Sequence, residues 1–126
     1  MRAFVVVFLF VGLGMVAAAQ DEETKCCCTT RDTSVCLSNV HEKVNAELNA
    51  AYQKALNMAE RYGSQDVENL KDAEQKWTAY RDAACKAEYG LWGGGSGGPN
   101  AQAMCVIRIT RQRTNDLNSV YTTENR

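Results

Sequence analysis

Apolar side chains recur every three or four residues over a long segment that begins at Cys36, which is the pattern of one buried helix face. The stripe consists of Leu37, Val40, Val44, Leu48, Ala51, Ala55, Met58 and Tyr62. Asp32, Thr33 or Ser34 is expected to cap the start of this helix, because each side-chain oxygen can accept a hydrogen bond from a free first-turn amide. Gly63 is expected to end it.

A second stripe with the same period follows at once and predicts a second helix. Its members are Val67, Leu70, Ala73, Trp77, Tyr80, Ala84, Ala87 and Leu91. Ser64 opens this segment, and Gly90 is expected to end it. Only residues 63–65 separate the two periodic segments. The two helices must therefore fold back on each other as an antiparallel hairpin.

The stretch "GLWGGGSGGPN" at residues 90–100 predicts a loop, because its glycines and Pro99 do not suit a helix interior. A third helix is expected from about Asn100. Its buried stripe is less regular and comprises Ala103, Val106 or Ile107, Thr110, Leu117 and Val120. No segment alternates with period two for long. The pattern thus predicts an all-α fold, a small bundle of three helices built on the antiparallel hairpin.

The first nineteen residues have the three-part composition of a secretory signal peptide. Arg2 precedes the apolar run "AFVVVFLFVGLGMV", and "AAA" follows where signal peptidase would cleave. We expect a signal peptide over residues 1–19, a mature chain from Gln20, and a single domain over residues 20–126. The protein is then exported, periplasmic or secreted, with no membrane span after cleavage. A lipid anchor is not expected, because the first cysteine, Cys26, follows "ETK".

Composition narrows the classes of partner. Cleavage after residue 19 of 126 leaves 107 residues, one small domain, and such a domain buries only about 60–70% of its unfolded surface. Loss of Arg2 reduces the basic side chains from 14 to 13 against 15 acidic ones. That small negative balance does not suit a nucleic-acid partner, which would require a basic surface.

Six cysteines in an exported chain favour disulfides that stabilise the small core. The start of the first helix, the end of the second and the start of the third meet at one pole of the predicted bundle, so Cys36, Cys85 and Cys105 converge there. Cys26, Cys27 and Cys28 precede the first helix and reach the same pole. Six cysteines allow about 15 pairings. Roughly six of these remain if the whole triplet pairs with the other three, whereas fewer bridges would leave triplet thiols free or joined to another chain.

A metal site is the alternative interpretation of the same residues. The triplet, Cys36 and His41 are soft ligands, but their spacing matches no repeated C-x2-C zinc pattern. Three adjacent cysteines also direct their side chains apart. Disulfides are therefore favoured, and neither a metal nor another cofactor is expected.

Catalysis by a cysteine nucleophile is also disfavoured. His41, the only histidine, could approach Cys85 at the shared pole and act as its base. An exported cysteine among five others is more readily oxidised, and the chain has no G-x-S-x-G, H-E-x-x-H or phosphate-binding loop. The protein is expected not to be an enzyme.

Arg81 and Asp82 are interpreted as a surface pair. The apolar residues on the same helix stripe are expected in the core: Trp77, Tyr80, Ala84 and either Leu91 or Trp92.

Three sequence blocks resemble the lysozyme-inhibitor LprI-like family. They are "CLSNVHEKVNAELNAAYQKAL" (36–56), "LKDAEQKWTAYRDAAC" (70–85) and "CVIRITRQRTNDL" (105–117), with "GGS" (94–96) before the last. The resemblance implies a helical, exported, disulfide-bridged domain. It implies that Cys36, Cys85 and Cys105 match family cysteines and that Cys28 matches the fourth. The chain differs from the family in its extra Cys26 and Cys27, and from lipoprotein members in lacking a lipobox.

The resemblance implies a binding function with lysozyme or a similar cell-wall hydrolase as the protein partner, acting by steric occlusion. Trp92 and Ser96 in the glycine-rich loop are the first candidate contacts, because such a loop can enter a cleft and an aromatic side chain can anchor it. The simpler interpretation of the loop is a flexible connector. Arg81 and Asp82 are second candidates. The alternative functions are a structural or stress-related envelope module, and an exported metal binder that uses the cysteine triplet.

Overall fold

The protein is a three-helix bundle over residues 29–121, the part of the chain that the computed structural model describes. Helix α1 comprises Thr30–Glu60, α2 comprises Ser64–Gly90 and α3 comprises Gly98–Val120, and no strand occurs within residues 29–121. The all-α prediction is confirmed. The predicted signal peptide, the start at Gln20 and the cysteines at positions 26–28 lie outside the described residues.

Helix α1 begins earlier than the sequence pattern predicted. Thr29 is its N-cap, and the Thr29 hydroxyl oxygen accepts a hydrogen bond of 3.1 Å from the amide of Asp32. The same hydroxyl donates to the Asp32 carboxylate at 2.7 Å. The prediction of a cap at Asp32, Thr33 or Ser34 was therefore wrong, because Asp32 supports the cap from within the first turn, as in a capping box.

Short turns connect the helices. Helix α1 ends at Glu60, and the Gly63 amide donates to the Ala59 carbonyl oxygen at 3.2 Å. Gly63 has φ of 136°, which glycine adopts more readily than other residues. Helix α2 then starts at Ser64 and ends at Gly90, as the pattern predicted. Helix α3 starts at Gly98, two residues before the expected Asn100, with Pro99 in its first turn.

Helix α3 is the central element of the bundle, since α1 and α2 both contact it more extensively than they contact each other. On one side of α3, Ile107 packs with α1 in a buried cluster that contains Leu37, Val40 and Val44. On the other side, Cys105 and Ile109 pack with Cys85 of α2, beside the half-buried Ala84 and Trp77. This two-sided burial explains why the apolar stripe of α3 is irregular in sequence.

A third cluster joins all three helices toward the opposite pole. Its buried members are Leu48, Ala51, Ala55, Ala59, Leu70 and Leu117, with Tyr52, Trp77 and Tyr121 packed around them. Trp77 contacts this cluster and also the cluster around Cys85. It therefore links the two ends of the α2–α3 interface, and its predicted place in the core is confirmed as a half-buried one.

Several residues predicted in the core are exposed. Tyr80 is 63% exposed and Leu91 is 86% exposed, while Tyr62 at the end of the α1 stripe and Val120 at the end of the α3 stripe also face solvent. Helix α2 turns the side that carries Cys85 toward α3, which leaves Tyr80 on the outer edge of the predicted stripe. Only Leu70 and Cys85 of α2 are fully buried. Within the described residues, no helix is long and apolar enough to cross a membrane.

We predict that replacing both Cys85 and Cys105 with alanine lowers the free energy of unfolding by about 3 kcal/mol, because their disulfide closes a long segment of chain. The two cysteines are 20 positions apart, and both are buried. Urea denaturation of the oxidised wild type and the double variant would measure the change. Equal stability of the two proteins would contradict a stabilising role for this bridge.

Candidate functional site

The loop between α2 and α3, residues 91–97, has a defined backbone conformation. The Gly95 amide donates to the Trp92 carbonyl oxygen at 2.8 Å, and the Trp92 amide donates to the Tyr89 carbonyl oxygen at 3.1 Å. Gly93 and Gly94 have φ of 54° and 80°, in the left-handed region that glycine enters without steric cost. The glycines therefore allow the chain to reverse tightly and to connect α2 to α3 with few residues.

Two further glycines provide contact surfaces for aromatic rings. A Cβ atom on Gly97 would lie 2.7 Å from Cζ3 of Trp92, and one on Gly98 would lie 2.9 Å from Cε2 of Tyr89. Such distances are closer than carbon atoms approach without displacement. The absence of side chains at both positions thus lets the two rings lie directly against the backbone.

The ordered loop presents a small exposed apolar surface, which we call the Trp92 surface and define as Tyr89, Leu91 and Trp92. Trp92 is 54% exposed although its ring rests on Gly97. Leu91 projects further into solvent, and Tyr89 is about one-third exposed. Ser96 is exposed in the same loop. An aromatic side chain that is both exposed and held by backbone contacts loses little conformational entropy when a partner covers it.

The helices on either side of the loop are fixed to each other near its base. Cys85 and Cys105 form a disulfide with Cα atoms 5.5 Å apart. A second contact is the ion pair between Glu88, about one turn after Cys85 on α2, and Arg108, about one turn after Cys105 on α3. The loop therefore begins and ends on two covalently joined helices, which restricts the positions that Trp92 can take.

The observed bridge decides between the open pairing schemes. Because Cys85 pairs with Cys105, the schemes in which the whole triplet pairs with Cys36, Cys85 and Cys105 are excluded. Cys36 is also disulfide-bonded. The start of α1 lies beside the start of α3 at the pole that contains Cys36. There the Ser34 hydroxyl donates to the Asn100 side-chain oxygen at 2.9 Å.

Arg81 and Asp82, the second pair of candidates, lie on α2 and contact each other. The Arg81 side chain donates to the Asp82 carboxylate at 2.8 Å and lies over the Trp77 ring, 5.2 Å from its centroid. Arg81 is thereby mostly covered, whereas Asp82 is exposed. About 14 Å of helix separates Arg81 from Gly90, where the loop begins. The structure thus places this pair apart from the Trp92 surface.

A second ion pair near Trp77 was not foreseen from the sequence. Nε and Nη2 of Arg113 both donate to one Glu74 carboxylate oxygen, at 3.0 and 2.9 Å. Both side chains are less than one-fifth exposed. The Arg113 guanidinium also lies 6.0 Å from the Trp77 ring centroid. Positions 74 and 113 are on different helices, so no local spacing in the sequence indicated this contact.

The described residues do not form a site for cysteine catalysis. Cys85 is oxidised in its bridge to Cys105 and has no thiolate to offer. His41 hydrogen-bonds Asn45 at 3.1 Å. No group of three or more potential metal ligands occurs within residues 29–121, and the cysteine triplet is outside that range.

Comparison with known proteins finds a family model that covers most of the chain. A family model described as "Lysozyme inhibitor LprI" matches residues 21–117. The chain belongs to the LprI lysozyme-inhibitor family. An uncharacterized protein of Rhizobium meliloti (strain 1021) is 29% identical over 113 residues, which cover 80% of this chain and 81% of that protein. No solved structure matches the chain.

Two of the three blocks that carry the LprI resemblance, those on α2 and α3, meet at one interface in the fold. Trp77 and Cys85 of the α2 block lie against α3, where Cys105 and Arg113 belong to the last block. Most of these motif residues therefore join α2 to α3. Trp92 lies between the two blocks, in the loop that this interface supports.

We predict that Gly97→Ala displaces the Trp92 ring, because the new Cβ would occupy the space of the ring edge. The indole N–H resonance of Trp92 should shift, while the free energy of unfolding changes by less than about 1 kcal/mol, since an exposed ring can move outward. Gly90→Ala is the matched control, because a Cβ there meets nothing within 4 Å. An unchanged indole resonance in Gly97→Ala would contradict the described packing.

Proposed function

We propose that this protein is an exported inhibitor of a lysozyme-type hydrolase and that the Trp92 surface enters or covers the substrate cleft of its partner. Membership in the LprI family supports the class of partner. The exposed, glycine-supported Trp92 is the observation that carries the choice of contact surface. Binding alone accounts for inhibition by steric occlusion, so no catalytic group is required.

The physical basis of binding would be burial of aromatic and aliphatic surface. Tryptophan and tyrosine are enriched among residues that contribute most to protein interfaces. Trp92 combines this side chain with a backbone that is already ordered by the turn around Gly93 and Gly94. Because less entropy is lost on binding, more of the contact free energy contributes to affinity.

The narrow loop suits a concave target better than a flat one. Residues 93–98 include five glycines and Ser96, so few side chains surround Trp92 and Leu91 at the tip. Ser96 adds a hydroxyl that can donate or accept a hydrogen bond at the edge of the contact. The slightly acidic balance of the mature chain would favour encounter with a basic hydrolase, an effect on association rate more than on affinity.

Arg81 and Asp82 are assigned a secondary role in this proposal. The Arg81 guanidinium already contacts Trp77 and Asp82, so its capacity for new contacts is reduced. Asp82 and the neighbouring exposed Tyr80 remain available on the outer face of α2. A large partner that covers the loop could reach them, but they would not occupy its cleft.

We predict that Trp92→Ala weakens inhibition of a chicken-type lysozyme by at least about fivefold, or about 1 kcal/mol, because the main apolar anchor is lost. Inhibition is measured as the rate of cell-wall lysis against inhibitor concentration. Helical circular dichroism should be unchanged. Tyr62→Ala is the matched control, since Tyr62 is 56% exposed but lies at the opposite pole.

Two results would overturn the proposal in different ways. Equal inhibition by Trp92→Ala and the wild type would remove the Trp92 surface from the interface. Failure of the oxidised, folded wild type to bind or inhibit several classes of lysozyme would remove the function itself, and a structural envelope role would then be the better explanation.

A further inference from the structure

The pole opposite the Trp92 surface contains a pocket of about 620 Å³ between the end of α1, the start of α2 and the end of α3. Its floor is formed by the buried core residues Ala59, Leu70 and Leu117. The volume is within the range of about 300–1,000 Å³ that is typical of small-molecule sites. The pocket is on the far side of the bundle from the proposed lysozyme contact.

Small side chains leave this space open. Ala59 on α1 and Ala73 on α2 both line the pocket, and an alanine side chain occupies little of the space beside it. Met58 and Tyr121 form apolar walls. Methionine adapts its shape to different occupants because it is unbranched and polarizable. The pocket thus offers an apolar surface that an organic side chain could fill.

One hydrogen-bond donor lies in the wall of the pocket. Arg113 lines it, and Glu74 holds the guanidinium through Nε and Nη2. A guanidinium has five N–H donors, and Glu74 accepts from only two of its nitrogens. The ion pair holds the guanidinium in place, so a remaining N–H group of Arg113 can donate to a carbonyl oxygen of an occupant.

The charges at the rim favour a cation. Asp66 and Asp116 are exposed carboxylates that line the pocket, and Arg61 is the exposed cation beside them. Glu74 neutralises Arg113, which leaves two rim carboxylates against one rim guanidinium. Opposite charges within a few ångströms attract. A positively charged group is therefore favoured at the mouth, with an apolar group deeper in.

We propose that this pocket binds a small apolar primary amine that carries a carbonyl oxygen, the chemistry found at the amino terminus of an apolar peptide. The ammonium group pairs with Asp66 and Asp116. The carbonyl oxygen accepts from Arg113. The apolar side chain covers the floor formed by the core, independently of the contact that the Trp92 surface makes.

The test is an NMR titration of the ¹⁵N-labelled oxidised protein with leucyl-phenylalanine amide. This probe has an ammonium group, two apolar side chains and carbonyl oxygens. We expect saturable shifts at the backbone amides of Ala59, Leu70 and Leu117. The N-acetylated peptide, which lacks the ammonium group, should bind at least about fivefold more weakly because it cannot pair with the rim carboxylates. Equal affinity of the two peptides, or no saturable shift, would overturn the proposal.

Matched variants locate the site. Ala73→Trp should fill the pocket and reduce affinity at least about tenfold, whereas Ala83→Trp places the same side chain on an exposed part of α2 outside it. Asp116→Asn should weaken the amine but not the acetylated peptide, and Glu47→Gln on exposed α1 should change neither. Trp92→Ala should bind the peptide normally. Unaltered binding by Ala73→Trp would contradict the assigned pocket.

Discussion

The burial of helix α3 on two sides is the constraint on which the rest of the structure depends. Ile107 on one side packs against α1, and Cys105 and Ile109 on the other pack against α2. Because α1 and α2 share fewer contacts with each other, α3 determines how far apart they lie. It also fixes the end of α2 beside the start of α3, and so it determines where the connecting loop can place Trp92. Burial of apolar side chains on both faces provides most of the free energy for this arrangement.

The α2–α3 interface combines a covalent bond with polar contacts that are largely shielded from water. The disulfide between Cys85 and Cys105 lies near the loop, and the Glu74–Arg113 ion pair lies several turns away with Trp77 between them. Two donors of Arg113 reach the Glu74 carboxylate, which offsets part of the cost of removing both charges from water. The same ion pair orients Arg113 toward the pocket at the opposite pole. The interface therefore positions both surfaces for which we propose binding.

Hydrophobic periodicity predicted the three helices because each has at least one regular apolar face. It was most accurate for α1, where the stripe from Leu37 to Ala55 is buried. It was wrong for Tyr80, because a stripe of three- and four-residue steps does not tell which of its edges faces the neighbouring helix. In α2 that orientation depends on the disulfide between Cys85 and Cys105. The sequence alone does not tell which of the other five cysteines pairs with Cys85. The loop was predicted from its glycines, but their contacts with the Tyr89 and Trp92 rings depend on tertiary structure. The Glu74–Arg113 pair likewise joins positions far apart in sequence.

The central claim is that the fold presents the loop at residues 91–97 as the surface that contacts a hydrolase. Hydrogen–deuterium exchange of the oxidised protein, alone and with an excess of chicken-type lysozyme, tests this claim without altering a residue. The account predicts that lysozyme slows exchange of backbone amides in the loop and in the last turn of α2, while amides around Asp66 and Asn69 at the opposite pole are unchanged. Protection at that pole with none in the loop, under conditions where the complex forms, would contradict it.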